Sequence, residues 1–210
     1  FTSSNIAALC SYLAIMAVTT IINYHLQYVR GFDAQISGLI LIITPIIMAI
    51  IAPNAGKLSD KIHSQKLAAT GMTIAVIGLG ILTFLNENTP IYFLILAMIL
   101  EGIGMGLFSS PNMNAIMSSV PLKDAPTASA SQATMRTIGQ TMSLGLLTLI
   151  FALIMGNLKL SPQYANMIVQ SSQIICGICT MACMIGIFAS LVGILTKRSE
   201  ERRVGKECRS

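Results

Sequence analysis

Long apolar runs alternate with short polar segments along most of the chain. Each of six runs holds about 18 or more largely apolar residues, enough to cross a hydrocarbon core of about 30 Å as a helix. Backbone polar groups in lipid must be paired within their own segment, so helices are the expected form. The sequence therefore predicts an all-α membrane protein with six transmembrane helices. The predicted helices cover residues 6–28, 36–53, 67–85, 91–110 (continuing towards 119), 138–155 and 174–196.

Basic residues are divided unevenly between the two sets of connecting segments. One set, together with the C-terminal segment, holds ten of the 13 lysines and arginines; the other holds only Arg30 and Lys159, and Arg136 lies on a predicted helix. Cytoplasmic loops of membrane proteins carry the excess of Lys and Arg. We therefore expect a multi-pass protein of the plasma (cytoplasmic) membrane, with both ends of this chain in the cytoplasm. The predicted loops are residues 29–35, 54–66, 86–90, 120–128 and 157–173.

The composition excludes an ordinary soluble domain. Charged residues make up 10% of the chain and hydrophobic residues 54%, with a mean hydropathy of +0.75, whereas soluble domains carry about 25% charged residues. The net charge of +5 does not indicate a nucleic-acid partner, because no basic patch with interleaved aromatic residues is present. The first apolar run follows Phe1 without a basic region or cleavage site, so we expect a fragment of a longer protein rather than a signal peptide.

The last segment, residues 199–210, differs abruptly from the apolar part, residues 1–198. It is hydrophilic and basic, with the sequence SEERRVGKECRS. Two interpretations stay open: a solvated cytoplasmic tail, or a non-native scar added to the chain. We therefore base the functional argument on the six-helix part alone.

The loop between predicted helices 2 and 3 contains a recognisable spacing of glycine, aspartate and basic residues. Gly56 allows two helix ends to approach closely, and Asp60 lies where the carboxylate can meet unpaired N–H groups of the next helix. Lys61 follows directly. This segment resembles the signature loop of the major facilitator superfamily, although His63 and Ser64 depart from its usual pattern. The alternative is an ordinary basic turn on the cytoplasmic side.

Two further segments resemble one branch of that family. Residues 102–112 (GIGMGLFSSPN) and 129–140 (SASQATMRTIGQ) are similar to consecutive helices of the drug:proton antiporters with fourteen helices, the EmrB/QacA-type multidrug exporters. The resemblance covers residues 1 to about 198. It implies the C-terminal half of a transporter, whose missing N-terminal half would be a partner in the same chain. It also implies alternating access of two six-helix bundles around a central cavity.

Glu101 is the strongest candidate for coupling to protons. It lies about ten residues into predicted helix 4, where a charged side chain costs about 2.5–3.5 kcal/mol or more. A carboxyl group there can exchange a proton for a cationic substrate, although a packing or pairing role is the alternative. Steps of three and four residues place other side chains on the same helical face, as candidates for an adaptable apolar site or for simple packing. These are Met98, Met105, Phe108, Ser109 and Asn112.

Predicted helix 1 concentrates polar residues in its second half. The family resemblance makes this helix line the cavity, so Asn23, Tyr24 and Gln27 are candidates for substrate contact; an interfacial belt is the alternative. His25 is expected to be solvated near the interface, with proton relay as its alternative role. Arg136 is a candidate for the cytoplasmic gate, or its side chain extends to lipid phosphate.

No feature of the sequence indicates an enzyme, a cofactor or a metal site. The glycines in residues 102–106 lie in an apolar run with no preceding strand, so they do not indicate a nucleotide-binding loop. Cys176, Cys179 and Cys183 have no histidine or carboxylate nearby in sequence to complete a metal site. We therefore expect protons and a hydrophobic or cationic small molecule as ligands of a secondary transporter. An uptake porter for a sugar, peptide or other metabolite and a non-transporting membrane protein remain alternatives.

Overall fold

The chain is almost entirely helical. The computed structural model describes residues 2–59, 61–62, 64–156 and 160–207, with side chains described as far as residue 188 within those ranges and at Ser190. The second span consists of two consecutive helices, α2 (Ala34–Leu41) and α3 (Ile43–Ser59). With these two counted as one span, six spans among the described residues are long and apolar enough to cross a membrane. The predicted all-α fold with six spans is thus confirmed. The helices are α1 (Thr2–Tyr24, continued by a π-helical turn, His25–Val29), α2 (Ala34–Leu41), α3 (Ile43–Ser59), α4 (Ser64–Thr83), α5 (Ile91–Met117), α6 (Ala125–Met155) and α7 (Ala165–Glu207).

Two helices begin well before their predicted starts. The structure begins α6 at Ala125 rather than at residue 138, and α7 at Ala165 rather than at residue 174. The prediction was wrong there because it followed apolar runs, and the first turns of α6 are built from small and polar residues that still favour a helix. Pro126 stands in the first turn of α6, where its missing N–H is not needed.

The second span also ends later than predicted, because Pro53 lies inside α3 rather than ending it. A proline removes a single backbone hydrogen bond, and the helix resumes beyond it. The Asn54 side chain donates to the Ile50 carbonyl at 3.2 Å, and Ser59 donates to the Gly56 carbonyl at 2.7 Å. The predicted loop at residues 54–66 is therefore helical as far as Ser59.

The helices pack in a definite order. Extensive contacts join α5 to both α3 and α4, α4 to α7, and α1 to both α7 and α6. By contrast, α5 touches α1 and α6 much less. The bundle is therefore arranged as α3, α5, α4, α7, α1, α6, with a cleft between α5 on one side and α1 and α6 on the other.

Glycines bring α5 into backbone contact with its two main neighbours. A Cβ atom added to Gly104 would lie 2.6 Å from the Ala75 nitrogen on α4, and one added to Gly71 would lie 2.6 Å from the Gly104 carbonyl oxygen. On the other side, a Cβ at Gly102 or Gly106 would lie within 3.0 Å of α3 atoms. Gly102 and Gly106 are four residues apart, so they lie on the same face of α5, and α3 packs closely against that face. Small residues permit this approach where lipid supplies no hydrophobic driving force.

The cysteines of the described residues belong to the packed interior. Cys10, Cys176, Cys179 and Cys183 are all buried and unoxidised. The Cys183 thiol donates to the Cys10 carbonyl at 3.7 Å, which joins α7 to α1. Large apolar side chains cover the outer faces of the bundle, as expected of a surface in contact with lipid.

Candidate functional site

Glu101 is a buried carboxyl group in the middle of α5. Its side chain is 3% exposed. Neither carboxyl oxygen has a hydrogen-bond partner within the described part of the chain. A buried charge without a partner carries the full cost of its desolvation. This site is therefore suited to a group that holds a proton in one state and a cationic partner in another.

Glycines bring α3 and α4 close to α5 at the level of Glu101. Gly102 rests on Thr44 and Ile47 of α3, and a Cβ at Gly78 of α4 would lie 3.3 Å from the Glu101 nitrogen. The neighbouring helices thus occupy two sides of α5 at this level. Glu101 is also among the residues that line a cavity between α1, α2, α3 and α5.

This cavity, called here the Glu101 cavity, has a volume of about 250 Å³. Glu101 is the only ionisable side chain among the described residues that line it, and Thr19 and Thr44 supply hydroxyl groups. The Thr44 hydroxyl is also bonded to the Met98 carbonyl at 3.3 Å. Such a wall suits an apolar ligand, and methionine side chains adapt to different shapes. The lining residues are Ile15, Val18, Thr19, Ile22, Leu41, Thr44, Pro45, Met48, Met98, Glu101 and Met105.

The α5 residues that the sequence placed on one face separate into two groups. Met98 and Met105 line the Glu101 cavity. Phe108 and Asn112 are buried further along the helix, outside this cavity. The Asn112 side-chain nitrogen has no hydrogen-bond partner among the described residues. These residues do share one face of α5, but only those in the first half of that face line the Glu101 cavity.

The polar residues of α1 lie beyond the Glu101 cavity. Gln27 donates to the Asn23 side chain at 2.7 Å, so these two candidates for substrate contact bond to each other. The Tyr24 ring makes edge contacts with Tyr28 and Phe151, at centroid distances of 5.9 and 5.5 Å. Asn23, Tyr24 and Gln27 are not among the residues that line the Glu101 cavity. Thr19 and Ile22, which come earlier on α1, line it instead.

His25 differs from its predicted environment. It begins the π-helical turn and is 2% exposed, so the expectation of a solvated histidine was wrong. The physical reason is that the π-helical turn contacts α7, which covers this part of the chain. Its Nδ1 atom has no hydrogen-bond partner among the described residues. π-Helical turns are frequent at functional sites, but sequence patterns do not reveal them.

A second cavity, the Arg136 cavity, lies between α1, α5 and α6 and has a volume of about 440 Å³. It shares no lining residue with the Glu101 cavity. The guanidinium carbon of Arg136 lies 5.2 Å from the centre of the Tyr12 ring. Arg136 and Glu101 thus line separate cavities. The lining residues are Tyr12, Ser109, Ser110, Met113, Asn114, Ser129, Gln132, Ala133 and Arg136.

The segment that resembles the family's signature loop begins at Gly56, in the last part of α3, and this part of α3 contacts α5 beside the Arg136 cavity. A Cβ at Gly56 would lie 2.9 Å from the Ser110 hydroxyl, so α3 and α5 meet closely there. The Asn114 side chain donates to the Ser59 hydroxyl at 2.5 Å. Lys61 is exposed in the turn after α3, and Asp60 lies outside the described residues.

Comparisons with known proteins give one consistent family. Residues 3–144 match the family described as "Major Facilitator Superfamily". The riboflavin transporter RibZ of Clostridioides difficile is 32% identical over 156 residues, which cover 72% of this chain and 33% of that protein. The multidrug resistance protein Stp of Mycobacterium tuberculosis is 27% identical over 148 residues, covering 70% and 27%. The chain therefore spans about a third of the length of these relatives.

A solved structure shows the same fold. It comes from a bacterial homologue of the human drug peptide transporters PepT1 and PepT2, with a TM-score of 0.75 and 18% sequence identity. The match covers 91% of this chain and 41% of that one. At this identity the likeness concerns the fold alone.

Proposed function

The chain belongs to the major facilitator superfamily, and from this premise we propose that its full-length protein exports hydrophobic and cationic compounds in exchange for protons. Within that proposal, the chain is the C-terminal six-helix half of an exporter with fourteen helices. Its ends face the cytoplasm, and the N-terminal half supplies the opposite wall of the central cavity. The resemblance of residues 102–112 and 129–140 to this branch supports the assignment, as does similarity to Stp and to the multidrug efflux pump LfrA of Mycolicibacterium smegmatis.

The observation that carries the proposal is a buried, unpartnered carboxyl group in the wall of an apolar cavity. A proton neutralises Glu101 and allows it to remain in this apolar setting. Loss of that proton leaves a negative charge beside Met98 and Met105, where a lipophilic cation satisfies both the charge and the apolar wall. Proton and cation thus compete for one group, which is the minimal requirement for exchange.

Gradient dependence is the direct test. The full-length protein, placed in everted membrane vesicles with an acidic lumen, is expected to accumulate a fluorescent lipophilic cation. One pH unit supports about a tenfold concentration ratio for electroneutral one-for-one exchange. Adding nigericin, which collapses the pH gradient, is expected to return the dye to the level of vesicles without the protein. Accumulation that persists after collapse, or its absence with every cation tried, argues against proton-coupled export.

A second function has its own support. The similarity to RibZ, named as a riboflavin transporter, favours an uptake porter for a metabolite. For that function, intact cells expressing the full-length protein should take up labelled riboflavin faster than cells without it, and a lipophilic cation should not compete. Export of the cation without riboflavin uptake favours the drug exporter.

A further inference from the structure

Arg136 is exposed and is the only charged residue among the described residues that line the Arg136 cavity. Its lining includes no acidic residue among those described, and Arg136 has no ion-pair partner in the described part of the chain. A guanidinium group stays protonated under all ordinary conditions. The cavity therefore keeps a formal charge of +1 and favours an anion over a cation.

The packing of α6 against α1 holds Arg136 at this cavity. A Cβ at Gly139 would lie 2.7 Å from the Leu9 carbonyl oxygen and 3.2 Å from the Tyr12 Cβ, so the two helices touch beside Tyr12. Arg136 lies three residues earlier on the same face of α6, which brings its guanidinium over the Tyr12 ring. The exposed Arg136 side chain is thus held against the Tyr12 ring where the two helices meet.

Neutral polar side chains line the same cavity as the guanidinium group. Gln132, one turn before Arg136, is 9% exposed and contributes an amide. Ser109, Ser110 and Ser129 contribute hydroxyl groups to the same lining. A planar guanidinium with nearby amide and hydroxyl donors matches the oxygens of a carboxylate, phosphate or sulfonate.

The two cavities follow one another along the same pair of helices. On α1, Tyr12 lines the Arg136 cavity and Ile15 lines the Glu101 cavity. On α5, Ser109 lines the Arg136 cavity and Met105 lines the Glu101 cavity. These pairs are three and four residues apart, which is one helical turn of about 5.4 Å. The two cavities therefore lie about one helical turn apart along α1 and α5.

We propose that the Arg136 cavity is a substrate subsite for an oxyanion group, which binds amphipathic molecules whose apolar part occupies the Glu101 cavity. This inference rests on the proposed transport function, because it takes both cavities to be open to substrate in the full-length protein. It extends the substrate class from lipophilic cations to zwitterionic amphiphiles. The inference rests on the positive charge of Arg136, which has no acidic residue beside it in the described lining of the Arg136 cavity, close to the apolar Glu101 cavity.

A matched pair of dyes tests the subsite. The probes are a rhodamine with a free carboxylate and the methyl ester of the same dye, with binding followed by fluorescence polarisation to the purified full-length protein in maltoside micelles. Arg136→Gln is expected to weaken binding of the carboxylate dye about tenfold, because a charged hydrogen-bond partner is lost. Binding of the ester is expected to change by less than about twofold. Arg136→Lys keeps the charge without the planar fork and should give an intermediate loss.

Lys123→Gln is the matched control. It also removes one positive charge, but Lys123 is exposed and outside both cavities, so neither dye should respond. Equal weakening of both dyes by Arg136→Gln overturns the inference, since it indicates a structural role or a carboxylate partner elsewhere in the full-length protein. Displacement of the carboxylate dye by phosphatidylglycerol but not by phosphatidylcholine also overturns it, because the oxyanion is then a lipid headgroup. The assay uses no pH gradient, so its outcome is independent of whether export is coupled to protons.

Discussion

Replacing Glu101 by glutamine is expected to abolish accumulation of a lipophilic cation driven by a pH gradient. The change keeps the size of the side chain and removes the carboxyl group that we propose takes up the proton. Because neither carboxyl oxygen has a partner among the described residues, the substitution breaks no hydrogen bond and should leave the fold intact. The initial rate in everted vesicles of the full-length protein should fall at least about tenfold, to the passive level.

Two companion variants make the result interpretable. Glu87→Gln removes a carboxylate that is exposed in the loop between α4 and α5, and it should transport normally. Glu101→Asp retains the carboxyl group on a shorter side chain and should keep part of the activity. If Glu101→Gln accumulates the cation as the native protein does, Glu101 is a packing residue and the coupling group lies elsewhere.

Replacing Gly71 by alanine should destabilise the helical bundle. The added methyl group would lie 2.6 Å from the Gly104 carbonyl oxygen and 2.7 Å from the Phe108 nitrogen. These are backbone atoms, so no side chain can rotate away, and α4 must move from α5. Overpacking of this kind costs about 1–3 kcal/mol in free energy of unfolding. In detergent, the thermal unfolding midpoint of the full-length protein should fall by about 1–3 °C, because the shift per kcal/mol becomes smaller as the protein becomes larger.

The same substitution elsewhere on α4 provides the control. A Cβ at Gly80 would meet nothing within 4 Å, so Gly80→Ala should leave the midpoint unchanged or raise it slightly, because alanine favours a helix. A loss of stability confined to Gly71→Ala locates the cost at the contact with α5. Equal midpoints for the two variants would show that the backbone contact between α4 and α5 is loose enough to yield.

Much of the fold could be predicted because lipid imposes one simple rule on a spanning segment. Apolar length was enough to find six spans, and Glu101 stood out since charge is rare at that depth. The start of α6 could not be found in this way, because its first turns are small and polar. A hydropathy pattern reports contact with lipid, whereas these turns line a cavity or lie outside the apolar region.

At the candidate site, too, the sequence predicted which residues of one helix lie together but not which other helices they contact. Helical spacing placed Met98 and Met105 beside Glu101 correctly, since all three lie on one helix. Thr44 and Met48 come from another helix, and their approach depends on the backbone contacts of Gly102 and Gly106. The residues around Gly102 and Gly106 in the sequence do not indicate which helix packs against these glycines. For the same reason the sequence did not pair Tyr12 with Arg136.

The tight contacts around α5 have a mechanical consequence. At Gly71, Gly102 and Gly104 the backbones of neighbouring helices are in direct contact. No flexible side chains lie between the helices at these points to adjust when one helix moves past another. Sliding of α5 along its neighbours would therefore require separation first, and shear movements between packed helices are small. Helices α3, α4 and α5 should behave as one stiff plate that carries Glu101. In the exporter that we propose, Glu101 would then keep its depth in the membrane, and its exposure to one side or the other would depend on movement of the opposite wall.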